Sequence, residues 1–148
     1  MPLLFSRSCE YALQAVLYLA QESQGKPVVL QEISTALNIP YHFLSKVLQV
    51  LTRDGIVSSY KGPNGGFALG RAASEISLVD IVRAIDGEAF LEGCVLGFSS
   101  CSEESPCPVH HSWKQAKEIM HEMLRDKTIA ELSAELKPKL TLIEQLSQ

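Results

Sequence analysis

Residues 40–69 read PYHFLSKVLQVLTRDGIVSSYKGPNGGFAL. Leu44, Val47, Leu48 and Leu51 fall at i, i+3, i+4 and i+7, the spacing that lines one face of an α-helix with apolar side chains. Pro40 suits the first turn of that helix and Gly55 its stop, so the helix is expected to run to about Asp54. Two short extended runs follow, Ile56–Tyr60 and Phe67–Leu69, on either side of Lys61-Gly62-Pro63-Asn64-Gly65-Gly66. Asn-Gly with further glycines is a strong hairpin signal, because tight hairpin turns need positive φ.

Upstream, residues 5–22 carry a helical apolar stripe, closed by Gly25-Lys26-Pro27. Leu30, Ile33 and Leu37 make a short second helix, and Asn38-Ile39-Pro40 is the turn into the third. Short helix, tight turn, helix and hairpin together make a winged helix-turn-helix. The third helix is then the reader of DNA. Its outward residues, His42, Ser45, Lys46, Gln49 and Arg53, are of the types that pair with base edges or phosphate, and Tyr41 stands in its first turn. Lys61 at the hairpin tip is placed to touch phosphate or enter the minor groove. Gly65 and Gly66 are expected to serve the turn itself.

The chain has 148 residues and a net charge of −4, which at first argues against nucleic acid. The distribution reverses that reading: residues 1–71 carry six Lys/Arg against four Asp/Glu, whereas residues 72–148 carry seven against thirteen. A modest basic patch on an acidic body suits a DNA reader that relies on few phosphate contacts. No stretch approaches the ~20 apolar residues of a membrane helix, and the N-terminus lacks the features of a signal peptide. The expected location is the cytoplasm, where clustered cysteines favour metal or redox chemistry over disulfides.

Past the hairpin, Ser77 with Asp80 forms a capping pair for a fourth helix over Leu78–Ile85. Residues 88–111 have loop character. A fifth helix is expected over about Ser112–Arg125, with Trp113, Ala116, Met120 and Met123 at heptad-like spacing. Thr128 with Glu131 caps a short helix to Leu136, and Leu140, Ile143 and Leu146 suggest a last helical turn or two. The expected organisation is a DNA-binding domain over 1–87, a ligand-binding loop over 88–111, and a long helix with a helical tail over 112–148.

The loop holds Cys94, Cys101, Cys107 and His110 in the spacing C-x6-C-x5-C-x2-H. Soft thiolates crowded into one loop favour zinc or an iron–sulfur cluster. A cluster needs about four protein ligands, so three cysteines leave one position to fill. Structural zinc in a Cys3His site and a thiol pair that oxidises to a disulfide are the alternatives. Cys9 has no spacing partner and reads as a packing residue. A thiol oxidoreductase is disfavoured, because no C-x-x-C occurs. A purely protein-binding module is disfavoured by the basic, polar face from His42 to Arg53.

Ser6–Ala20 (SRSCEYALQAVLYLA), Ile39–Leu51, Gly55–Leu69 (GIVSSYKGPNGGFAL), Ile76–Gly87, the spaced cysteines, Trp113 and Thr128–Leu132 together resemble the Rrf-two family of bacterial regulators. The likeness extends to about Leu136. It implies a mainly α-helical homodimer, paired through the fifth helix, that binds a near-palindromic double-stranded operator. It implies control by a [2Fe–2S] or [4Fe–4S] cluster that senses nitric oxide, redox state or iron supply. The branch that regulates cluster biogenesis uses a histidine three residues past the third cysteine, which His110 matches. The nitric-oxide-sensing branch uses an acidic residue of the partner's first helix, and Glu10 stands at that place. Both candidates remain open, with His110 preferred because it shares the loop and His111 behind them. The chain departs from the biogenesis branch at Ser45, where that branch carries an acidic side chain that governs operator choice.

Overall fold

A computed structural model describes residues 4–23, 25–89, 91–99 and 102–136. The element order is α1 (Arg7–Glu22), α2 (Leu30–Leu37), α3 (Tyr41–Arg53), β1 (Val57–Tyr60), β2 (Gly66–Leu69), a 3-10 turn (Ala73–Glu75), α4 (Leu78–Asp86) and α5 (His110–Asp126). Residues 129–136 are also helical. The architecture is mainly α with a two-stranded wing, as the sequence predicts. The suggested turns at Leu140, Ile143 and Leu146 lie outside the described residues.

The apolar stripe of α1 puts Ala12, Ala15, Val16 and Leu19 in the core, each with no exposed surface. The two alanines leave room for close approach, and α1 packs on both α3 and α4. The inner face of α3 is Leu44, Val47, Leu48 and Leu51, the four predicted residues. Asn38 closes α2 in the left-handed conformation with φ 53°, which asparagine tolerates better than most residues. The buried Ser34 hydroxyl donates to the Ile39 carbonyl at 2.6 Å and fixes the turn between α2 and α3. Pro40 stands one residue earlier than expected, at the N-cap of α3. Gly55, with φ +78°, ends α3 as expected.

β1 and β2 pair antiparallel, with Val57 opposite Leu69 and Tyr60 opposite Gly66. The positive φ of the wing does not fall on Asn64-Gly65. It falls on Gly62 (+99°) and Gly66 (+147°), and Gly65 donates to the Gly62 carbonyl at 3.0 Å. Asn-Gly is a motif of two-residue turns, whereas residues 61–65 form a longer loop whose geometry moves the strain outward. Phe67 and Val28 exchange both backbone hydrogen bonds at 2.8 Å, so the wing is stitched to the chain entering α2.

The Ser77 N–H donates to the Asp80 carboxylate at 3.0 Å, and the predicted capping box opens α4. Thr128 and Glu131 form the reciprocal pair expected of them, both bonds at 3.2 Å. The segment after α5 returns to the segment before α4: Ile129 donates to the Ile76 carbonyl at 2.8 Å, and both side chains are fully buried. α5 begins at His110, two residues before the expected Ser112. His110 N–H bonds to the Cys107 carbonyl and Trp113 N–H to the Val109 carbonyl, so backbone bonds open the helix without a serine cap. No helix among the described residues is long and apolar enough to cross a membrane.

A Cβ at Gly66 would strike the Val28 carbonyl, whereas one at Gly62 would meet open space. Gly62→Ala therefore carries backbone strain alone, and Gly66→Ala carries strain and collision. The expected losses are about 1 kcal/mol for Gly62→Ala and about 3 kcal/mol for Gly66→Ala. Urea unfolding of the two variants beside the parent protein checks the order; equal losses would contradict it.

Candidate metal centre and nucleic-acid interface

The cysteine loop leaves α4 at Gly87 and is fastened to α5 at several points. The Trp113 indole donates to the Gly93 carbonyl at 2.9 Å, next to Cys94. The Lys117 ammonium lies over the Trp113 ring, 5.8 Å from its centre, on the α5 turn that follows. Further along the loop, Lys114 pairs with Glu103, which lowers the pKa of the carboxyl and raises that of the amine.

Within this frame Cys94 is half-buried, with backbone amides to one side of it. The backbone N–H of Phe98, above all, and those of Leu96 and Gly97 point at its sulfur, and the Cys107 thiol hydrogen-bonds to it. These bonds favour the thiolate, so the Cys94 pKa is lowered from its ordinary value. Gly97 adopts φ +83°, and its N–H also bonds to the Cys94 carbonyl at 3.0 Å. The side chains of Val95, Leu96 and Phe98 are each more than half exposed.

The structure thus brings Cys94 and Cys107 together. Cys101 lies outside the described residues. His110 is buried at the first turn of α5, one turn from Cys107 along the chain. Glu10 is half-buried in the first turn of α1, beside Cys9. Among the described residues no three His, Cys, Asp or Glu side chains form a metal-binding group, so neither His110 nor Glu10 joins the pair within one chain.

Cys9 is the opposite case. It is fully buried with Val82 and Leu124 where α1, α4 and α5 meet. Burial first, then the carboxylates of Asp86 and Glu10, push its thiol up to about 12. The packing role expected for it holds.

The predicted DNA-reading residues occupy one side of α3 and the wing tip. Tyr41, His42, Lys46, Gln49 and Lys61 are exposed, and Ser45 is half-buried. Gln49 donates to the Ser45 hydroxyl at 3.4 Å, one turn away, and Tyr41 packs edge-on against His42 at 6.1 Å. Phe43, 56% exposed, stands among them and was not in the expected set. An aromatic residue next to Leu44 reads as core; only its angular offset from the buried row marks it as outward. The amides around Cys94 were also missed, since backbone donors leave no residue signature beyond the glycine at 97.

The family model for Rrf2, described as an iron-dependent transcriptional regulator, matches residues 5–135. The chain belongs to the Rrf2 family. An HTH-type transcriptional regulator of Aquifex aeolicus is 36% identical over 132 residues, covering 88% of this chain and 91% of that protein. The IscR regulator of Serratia proteamaculans is 34% identical over 122 residues, 82% of this chain and 74% of its own. Among solved structures, IscR of T. potens matches with a TM-score of 0.72 at 26% identity, over 94% of this chain and 92% of that one. CymR of B. subtilis, titled the global cysteine regulator, matches with a TM-score of 0.78 at 24% identity, over 90% and 98%, and supports the fold. Members of the Rrf2 family are DNA-binding transcription regulators and not enzymes.

The two thiol environments predict opposite behaviour in metal-free protein. Iodoacetamide at neutral pH should label Cys94 and spare Cys9 until the chain unfolds. Because the folded state raises the Cys9 pKa, its contribution to stability is complete below about pH 9, the ordinary thiol value, and is lost as pH rises towards 12. Denaturation across that window should show the loss in the parent protein and less of it in Cys9→Ala. Labelling of Cys9 in the folded protein at pH 7 would contradict this account.

Proposed function

We propose that this protein is an operator-specific regulator whose affinity for DNA is set by an iron–sulfur cluster held by Cys94, Cys101 and Cys107. The observation that carries the reading is the Cys94 sulfur, which receives backbone N–H bonds and lies against the Cys107 thiol. Metal binds the thiolate, and amide donors of this kind stabilise thiolate charge on a ligand and tune a cluster's potential. The donor set is soft and sulfur-rich, as such a cluster needs. When bound, the cluster supplies a centre that changes state with nitric oxide, redox poise or iron supply.

The fourth ligand in this reading is His110 or the Glu10 of a second copy. His110 is supported by its spacing and by the backbone bond that links it to Cys107. Glu10 is supported by its place in the first turn of α1, half-buried and outside any ligand group of its own chain among the described residues. Pairing of two copies is supported by α5, where Ile119 is 68% and Met123 45% exposed on a helix that packs on α4 among the described residues. The protein then presents two α3 helices to the two halves of a near-palindromic operator in the cytoplasm.

A second reading rests on the same pair. Cys94 and Cys107 are close enough to share a hydrogen bond, so an oxidant can join them and the switch is a disulfide. A structural neighbour at 25% identity is titled the oxidized form of Staphylococcus aureus CymR.

Protein purified without oxygen separates these readings by visible absorption with iron, sulfide and zinc assays. The expected result is a coloured protein with iron and sulfide, whose absorption is lost in Cys94→Ala, Cys101→Ala and Cys107→Ala. Operator affinity should differ by at least about fivefold between loaded and metal-free protein. Either His110→Ala or Glu10→Ala should shift the spectrum while leaving iron bound, and the one that does names the fourth ligand. Colourless protein with stoichiometric zinc would overturn the cluster reading, and equal affinity in both states would overturn control by the cluster.

A further inference from the structure

Tyr41, His42 and Phe43 follow one another in the first turn of α3, and all three are exposed, Tyr41 at 45% and Phe43 at 56%. The Tyr41 and His42 rings pack edge-on, and each carries a polar atom that can bond to a base or a phosphate. Phe43 carries none. A lone exposed apolar residue needs no explanation on an ordinary surface. Here the surface is the first turn of a recognition helix, flanked by Lys46 on the next turn and followed by the Lys61 wing. Nor does Phe43 belong to the exposed apolar stripe of α5, which is a separate element.

The angular position of Phe43 narrows its role. It precedes the fully buried Leu44 by one residue and therefore sits about 100° around the helix from it, at the flank of the outward face. A side chain there flanks the face turned to the groove floor and stays within reach of base edges when the helix lies in the groove. In the major groove, base edges present donors, acceptors and one apolar group, the C5 methyl of thymine. A phenyl ring has a complementary surface only to that methyl. We infer that Phe43 is a specificity-determining residue that packs on a thymine methyl in each operator half-site. The inference rests on the reading that α3 enters the major groove.

The test begins with selection of bound duplexes from a random-sequence pool by the full-length protein. Each thymine of the selected duplex is then replaced by uracil, which removes the methyl and keeps every hydrogen-bonding group. One thymine per half-site should matter, its replacement weakening binding about fourfold per half-site, the value of one buried methyl. In Phe43→Ala that replacement should have no effect, and Phe43→Leu should keep part of it. The salt dependence of binding should be unchanged in Phe43→Ala and shallower in Lys61→Ala, which separates base contact from phosphate contact. If Phe43→Ala binds no duplex, the Leu variant carries the comparison. Uracil replacements without effect in the parent protein, or with equal effect in the Phe43 variants, would overturn the inference and leave DNA reading by α3 standing. Failure of the parent protein to select any sequence would overturn both.

Discussion

The burial of one face of α1 is the constraint on which the rest of this fold depends. Ala12, Ala15, Val16 and Leu19 have no exposed surface, and α3 and α4 both rest on this helix. Helices shorter than about 12–15 residues are marginal in isolation, so α2 with eight residues and α4 with nine hold their form by packing. α3 is thereby packed on both α1 and α4, and its exposed first turn can stay free of structural duty. A carboxylate completes the arrangement at the other end of α1. Asp86 accepts from the Ser6 N–H at 3.0 Å and from the Ser6 hydroxyl at 2.5 Å, and Ser6 in turn caps the Cys9 N–H. An acidic residue at the C-terminal end of α4 opposes that helix's dipole, and these bonds offset the cost.

How far the sequence predicts this arrangement depends on the range of the interaction. Leu44, Val47, Leu48 and Leu51 are legible because a helix repeats its environment every three to four residues. Ser77 with Asp80 and Thr128 with Glu131 are legible because a capping box is a local exchange of hydrogen bonds. Features built by distant pairs are not. The exchange between Val28 and Phe67 and the contact of Ile76 with Ile129 join segments that share no pattern. The start of α5 at His110 depends on backbone bonds to Cys107 and Val109, which no side-chain signature marks. The wing lies between these cases: its glycines announce a turn, but their positive φ falls on Gly62 and Gly66 because the loop is longer than the Asn-Gly motif implies.

The candidate site divides in the same way. The spacing of Cys94, Cys101 and Cys107 is visible in the sequence, as is the polar face of α3. Spacing sets Cys94 apart from Cys9, but the surroundings that shift their ionisation in opposite directions are not visible in it. Cys9 is enclosed by apolar side chains with carboxylates nearby, and both oppose ionisation. Cys94 is half-buried beside amide N–H groups on a loop turned by Gly97, and these favour it. The difference lies in backbone direction, which only the folded chain defines. Phe43 escapes notice for the converse reason, since its residue type suggests a core that the helix geometry denies it.

The cysteine loop lies between the two elements that a change in it would move. It begins where α4 ends, one residue beyond Asp86, and it is bound to α5 through Trp113, Lys114 and the Cys107–His110 backbone bond. It is covalently continuous with both helices; hydrogen bonds add to its hold on α5, and the Arg83–Glu88 pair adds to its hold on α4. Asp86 in turn holds the N-cap of α1, on which α3 rests. A displacement at the start of the loop therefore reaches α3 through α4 directly and through Asp86 and α1. Each of these links is tightly packed or hydrogen-bonded, and packed elements of this kind shift between discrete arrangements and do not deform gradually. That property is what the proposed regulation requires of the segment between the cysteine loop and α3.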